Sequence, residues 1–117
     1  MLTPEQQQRF QEAIKRLGGD SDLLITMAML VSEDAPQMLN NLELQLHDGQ
    51  LQEASATGHS LKGLLSTFET GSPVKELQPV IDATRAENRE RARELWLGCK
   101  SSIETLIASI SELAVSG

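Results

Sequence analysis

The chain contains no tyrosine, one tryptophan and two phenylalanines, so the aromatic content typical of β-strands is nearly missing. Its single cysteine, Cys99, rules out an internal disulfide and fits a reducing, cytoplasmic setting. Cations are scarce: 10 Lys and Arg stand against 17 Asp and Glu, a net charge of −7. Nucleic-acid affinity rests largely on clustered cations, so this balance argues against a nucleic-acid binder. No segment approaches the roughly 20 consecutive apolar residues of a membrane-spanning helix. The start, MLTPEQQQRF, lacks the basic opening and apolar run of a secretory signal. Residues 1–117 suffice for one domain around one core.

What the sequence has in quantity is Leu, Ala, Glu and Gln at helical spacing. Thr3, Pro4 and Glu5 form a helix-start signal, and a short helix is predicted from there to Leu17, ending at Gly18-Gly19. Asp20 or Ser21 then caps a long helix with Leu23, Met27, Leu30, Val31, Leu39, Leu42 and Leu46 on its apolar face. Pro36 predicts a bend in it, or a break with Asp34 as a new cap. HDGQ (47–50) reads as a turn closed by Gly49. The next helix is expected from Leu51 to about Glu69. After TGSP (70–73) comes a helix of about a dozen residues to Arg85, kinked or delayed by Pro79. AEN (86–88) is a short loop, and a last helix runs from Arg89 to Ala114. Its inward face carries Trp96 and Cys99, the latter read as an inert core thiol. Met27, Met29 and Met38 read as core or rim fillers. Long helices joined by short loops pack as antiparallel neighbours. The expected fold is all-α: an up-down-up-down four-helix bundle (about 20–114) with the short N-terminal helix (about 4–17) across it.

The stretch ATGHSLKGLLSTFE (56–69) places a histidine, a lysine and a glycine within five residues of a helix interior. Glycine there costs about 1 kcal/mol against alanine. Positions 51, 54, 58, 61, 65 and 68 form the apolar seam. At 100° per residue His59 and Gly63 each lie about 160° from Leu61, so both point to water. Ser55, Ala56, Gly63 and Ser66, the residues stacked nearest the imidazole, are all small. Lys62, three residues on, is the one long side chain that reaches the ring. A face pared down in this way suits a site where another protein presses against the imidazole. A neutral imidazole is a nitrogen nucleophile, and an unperturbed ring is largely unprotonated near neutrality. An arriving phosphoryl group would find its counter-charge in Lys62. No glycine-rich nucleotide loop is present, so the phosphoryl group would have to come from a partner. His47, beside Asp48, reads as a solvated residue; Asp82, Glu87, Glu90 and Glu94 read as a solvated face. No metal site and no cofactor is expected.

GHSLKG (58–63) resembles the signature of the histidine-containing phosphotransfer (HPt) domain. RLGGDSDLL, SEDAPQML, the approach HDGQLQEASATGHSLKG and ATRAENRERAREL are similar to that family's sequences in order and spacing, over roughly residues 14–114. The resemblance implies a four-helix bundle that carries a phosphoryl group between receiver-domain aspartates. It implies phosphorylation of His59 on its outer nitrogen, phosphate pairing by Lys62, and close approach of the receiver at Gly63. Ser55, Ala56, Ser66 and Leu64 would flank that approach, with Leu64 as part of an apolar rim. Some members place a glutamine near the imidazole, for which Gln78 and Asp82 are the candidates. Many members also have small residues after the glycine and a further glycine ten residues after the histidine. Leu64, Leu65 and Glu69 stand there instead, with Gly71 as the expected helix end. The implied partners are receivers of a hybrid sensor kinase and a response regulator, met by a monomeric carrier with no enzymatic nucleotide site. The alternatives are a non-transferring adaptor, or the phosphoacceptor segment of a larger chemotaxis-type kinase. Met1 and the tail AVSG favour a free-standing chain.

Overall fold

The computed structural model describes residues 2–115; Met1 and the last two residues, on which the free-standing reading partly rests, lie outside the described residues. The described chain is helical, with no strand among the described residues. Its helices are α1 (Pro4–Arg9), α2 (Gln11–Arg16), α3 (Ser21–Asp48), α4 (Leu51–Leu65), α5 (Leu77–Arg85) and α6 (Arg89–Ala114), with a 3-10 turn at Val74–Glu76. No helix is long and apolar enough to cross a membrane among the described residues.

The expected N-terminal helix is in fact two. Thr3 and Gln6 form a reciprocal capping box at the start of α1, but the backbone breaks at Phe10. The break lets Phe10 turn inward to 3% exposure and meet Phe68 edge-on, ring centroids 6.0 Å apart. Burying an aromatic ring in this way outweighs one helical turn. Arg16 Nη2 donates to the Thr67 carbonyl at 2.7 Å, which ties the same segment to the chain just after α4.

Asp20 caps α3 by accepting from the Leu23 N–H at 2.9 Å. At 28 residues α3 is about 42 Å long, which matches the 43 Å long axis of the molecule. It runs unbroken through Pro36, without the expected recapping at Asp34. The proline ring faces solvent, so its missing N–H removes one backbone bond without crowding the core. The inward face also differs from the expected one. Leu24, Ile25, Ala28, Val31, Ala35, Leu42 and Leu46 are buried, while Leu23, Met29 and Leu30 are 42%, 50% and 51% exposed. The first half of α3 is apolar over so much of its circumference that two stripes compete. Packing on α4 and α6 selects the one built on small Ala28 and Ala35, which allow close approach.

Helices α3 and α4 pack together, α4 and α5, α5 and α6, and α6 back on α3. Gly49, at φ +74°, closes α3 in the left-handed region, and Gln50 N–H returns to the Gln45 carbonyl at 2.8 Å. The Arg89 guanidinium donates to the carbonyls of Leu46 and His47, so the first residue of α6 satisfies the end of α3. Further along, Trp96 Nε1 donates to Glu43 at 3.0 Å and Lys100 pairs with the same carboxylate. As expected, Trp96 and Cys99 are buried. Desolvation, with Glu76 adding repulsion, pushes the Cys99 thiol up to about 11, leaving almost no thiolate at neutral pH.

The Glu43–Lys100 pair gives stability a pH signature. The bond from Lys100, with that from Trp96, holds the Glu43 carboxyl below its ordinary 4.5. Its contribution is therefore complete above 4.5 and lost as pH falls through the lower folded-state value. Lys100 is raised above 10.5 by the same bond, so its share persists until pH rises past that point. Glu43→Gln, whose amide oxygen can still accept from Trp96, should lower the melting temperature at pH 7. Melting curves taken at falling pH should converge with wild type below 4.5.

Candidate functional site

Leu51, Ala54, Gly58, Leu61 and Leu65 turn α4 toward the core: Ala54, Gly58, Leu61 and Leu65 are buried and Leu51 is half-buried. The opposite face follows from the same 3.6-residue turn. His59 and Gly63 are exposed, as are Gln52 and Ala56, while Ser55, Lys62 and Ser66 are half-buried. Among the described residues the His59 imidazole takes no hydrogen bond, so both ring nitrogens are open to an incoming group. A methyl group added at Gly63 would meet nothing within 4 Å. The helix gains nothing internally from this glycine; the space above it is simply left clear.

Helix α4 ends at Leu65, four residues earlier than expected. The Ser66 hydroxyl donates to the Lys62 carbonyl at 2.6 Å, which also accepts the Ser66 N–H at 3.0 Å. A serine bonding back to the fourth preceding carbonyl competes with helix continuation. The Ser66 hydroxyl proton is thus already engaged within its own helix end. Gly71, expected as the helix end, lies in the following loop, its N–H donating to the Glu69 carboxylate at 3.0 Å. Leu64 is half-buried against the core, so it contributes less of an apolar rim than its sequence position implied.

Helix α5 lies antiparallel against α4. Gly58 faces Ile81, Lys62 faces Gln78, and the start of α4 faces the end of α5. A Cβ at Gly58 would come within 3.1 Å of Ile81 Cγ1, so this glycine sets how closely the two helices approach. Pro79 is the third residue of α5, where its missing N–H would be unpaired anyway; the helix starts late rather than kinking.

Gln78 and Asp82, the two candidates for an imidazole partner, do something else. Lys62 Nζ donates to Gln78 Oε1 at 2.7 Å, and Gln78 Nε2 donates to Asp82 Oδ1 at 2.9 Å. Asp82 orients the amide so that its oxygen faces the ammonium. The pair positions Lys62, and neither bonds His59. Sequence reasoning could have reached this, since Gln78 and Asp82 are four residues apart on one helix face. His47 lies apart, 69% exposed at the end of α3, its Nδ1 3.1 Å from Asp48. No group of three or more metal-ligating side chains gathers among the described residues.

His59 also lines an open groove of about 540 Å³ along α4, with Gln52, Ser55 and Ala56 on one wall. Thr84, Arg85 and Glu87 form the other. Glu87 ends α5 in the left-handed region, φ +57°, and Asn88 N–H returns to the Ala83 carbonyl at 2.9 Å. In comparisons with known proteins, no family model, no curated protein and no solved structure matches the chain. What the site can do is therefore read from its own residues. It offers one exposed imidazole without a hydrogen bond, one ammonium on the same helix held by Gln78, and cleared space over Gly63.

Proposed function

We propose that the chain is a phosphorelay intermediate: His59 accepts a phosphoryl group from an aspartate of one receiver domain and yields it to an aspartate of another. The observation that carries this reading is the unbonded, outward His59 with Gly63 open beside it. The likeness of GHSLKG to the HPt signature supports it independently. The helices α3, α4, α5 and α6 are read as an up-down-up-down bundle, supported by their closed ring of neighbours and by the short loops at 49–50 and 86–88.

In the forward step an imidazole nitrogen attacks the phosphorus, its P–N bond forms as the aspartyl O–P bond breaks, and the carboxylate leaves. The proton on the other ring nitrogen neutralises the ring's developing charge by departing to water. Lys62, already directed by Gln78 and Asp82, supplies positive charge beside the transferred group. The metal and most of the remaining stabilisation would belong to the receiver. The chain acts as a carrier, and a partner without turnover is the competing reading, since the same surface would dock a receiver as an adaptor.

Incubation with an aspartyl-phosphorylated receiver should transfer acid-labile label to the wild-type chain and none to His59→Gln. Label persisting on that variant, or absent from the wild type across all receivers of its source organism, would end the proposal. Lys62→Ala should slow transfer about tenfold, equivalent to about 1.4 kcal/mol of transition-state stabilisation, with unchanged helicity. Gln78→Leu should reproduce part of that loss, because it releases the ammonium without removing it.

A further inference from the structure

The groove beside His59 holds a second cation that neither the imidazole's own helix nor the Lys62 network uses. Arg85 is exposed, lines the groove with His59, and makes no hydrogen bond or ion pair among the described residues. Its neighbour Glu87 lines the same groove, yet the two are not paired. A guanidinium left free beside a carboxylate is available to a third group.

The direction of the side chains brings Arg85 and His59 toward each other. Gly58 is level with Ile81, so in this antiparallel pair Arg85, one turn beyond Ile81, is level with the turn preceding His59. Helical side chains lean toward their own N-terminus. The imidazole therefore leans over Ser55 and toward Arg85, and Arg85 leans back along α5 toward the level of His59. Ser55 and Ala56, small as they are, leave the space between them open. Lys62, by contrast, is drawn to Gln78, two turns nearer the start of α5 than Arg85, at 2.7 Å.

We propose that Arg85 is the groove-side counter-ion of phosphorylated His59, so that the phosphoryl group is gripped between two cations from adjacent helices. The proposal rests on the phosphorelay reading for its ligand. Lys62 offers a point charge; Arg85 offers a planar fork of donors that can hold two phosphoryl oxygens at once. Glu87, carried on the rim by its left-handed backbone, opposes the same group and weakens the grip, which suits a carrier that must release what it receives.

The test needs no partner protein. In a His47→Gln background His59 is the one histidine, and phosphoramidate serves as donor. The new P–N bond forms as the donor's P–N bond breaks, and ammonia leaves with the proton shed by the ring. Phosphorus NMR then follows the titration of the phosphoryl group, and nitrogen-resolved NMR follows Arg85 Nε. With Arg85 present the phosphoryl titration midpoint should lie about half a unit lower than in Arg85→Ala, a modest shift befitting an exposed site. Arg85→Lys should recover part of the difference, and Glu87→Gln should lower the midpoint further. The Arg85 Nε resonance should move on phosphorylation. Identical midpoints with and without Arg85, or an unmoved Nε resonance, overturn the assignment, as does an imidazole that phosphoramidate cannot modify. A phosphoryl group that Arg85 senses but no receiver gives or takes would leave this assignment standing while the relay reading falls.

Discussion

Gly63→Gln should lower phosphotransfer from a receiver by about a hundredfold while making the isolated chain more stable. The two effects have one origin. Gly63 lies in the last turn of α4, exposed and with nothing within 4 Å of an added Cβ, so a longer residue meets no obstacle in the free protein. Replacing a glycine inside a helix by a good helix former contributes about 1 kcal/mol, worth about 4 °C in melting temperature for a domain of this size; in the last turn of α4 the gain should be smaller but of the same sign. In a complex the same side chain would stand one turn from the imidazole, where the donor's aspartate must come within bonding distance. Misplacement of reacting atoms by about 1 Å can lower a rate a hundredfold. Stopped-flow or label-transfer rates set beside thermal melts decide the matter. A variant that transfers normally, or that melts lower than wild type, contradicts the role given to Gly63.

Gly58→Leu should do the reverse in the free protein. Its Cβ would already crowd Ile81 Cγ1 at 3.1 Å, and the remaining atoms have no space between α4 and α5. Overpacking of this kind typically costs about 1–3 kcal/mol. The damage should reach the site, because displacing α5 carries away Gln78, Asp82 and Arg85 together. Denaturant melts should show the loss, and the Lys62–Gln78 bond, 2.7 Å in the native chain, should be the first site contact to go. Two glycines five residues apart on one helix thus differ: Gly58 admits a neighbouring helix, while Gly63 faces open space.

That contrast shows where the sequence was legible. The seam at 51, 54, 58, 61, 65 and 68 put His59 and Gly63 outward, and the structure exposes both. Helix α6, the turn at Gly49 and the loop at 86–88 also follow from caps and periodicity. The errors fall where local pattern leaves a choice that packing makes. Leu23 and Leu30 compete with Leu24, Ala28 and Ala35 for the inside of α3, and only the neighbouring helices decide. Phe10 breaks a well-capped helix to reach Phe68, a contact 58 positions away that no periodicity reveals. Helix α4 stops at Leu65, short of the expected end, where the Ser66 hydroxyl bonds back to the Lys62 carbonyl at 2.6 Å. Thr84 and Arg85 were not read as site residues, and Glu87 was read as part of a solvated face, because they belong to another helix end, brought to His59 by the antiparallel pairing of α4 and α5.

His47 supplies a built-in control for the central claim, being an exposed histidine on the same chain but paired with Asp48 and carried by α3, with Gly63 in the last turn of α4. After incubation with a phosphorylated receiver, peptide mass spectrometry under alkaline conditions should find one phosphoryl group, on the peptide bearing His59. An unmodified His59, or a phosphoryl group on His47 instead, would contradict the account.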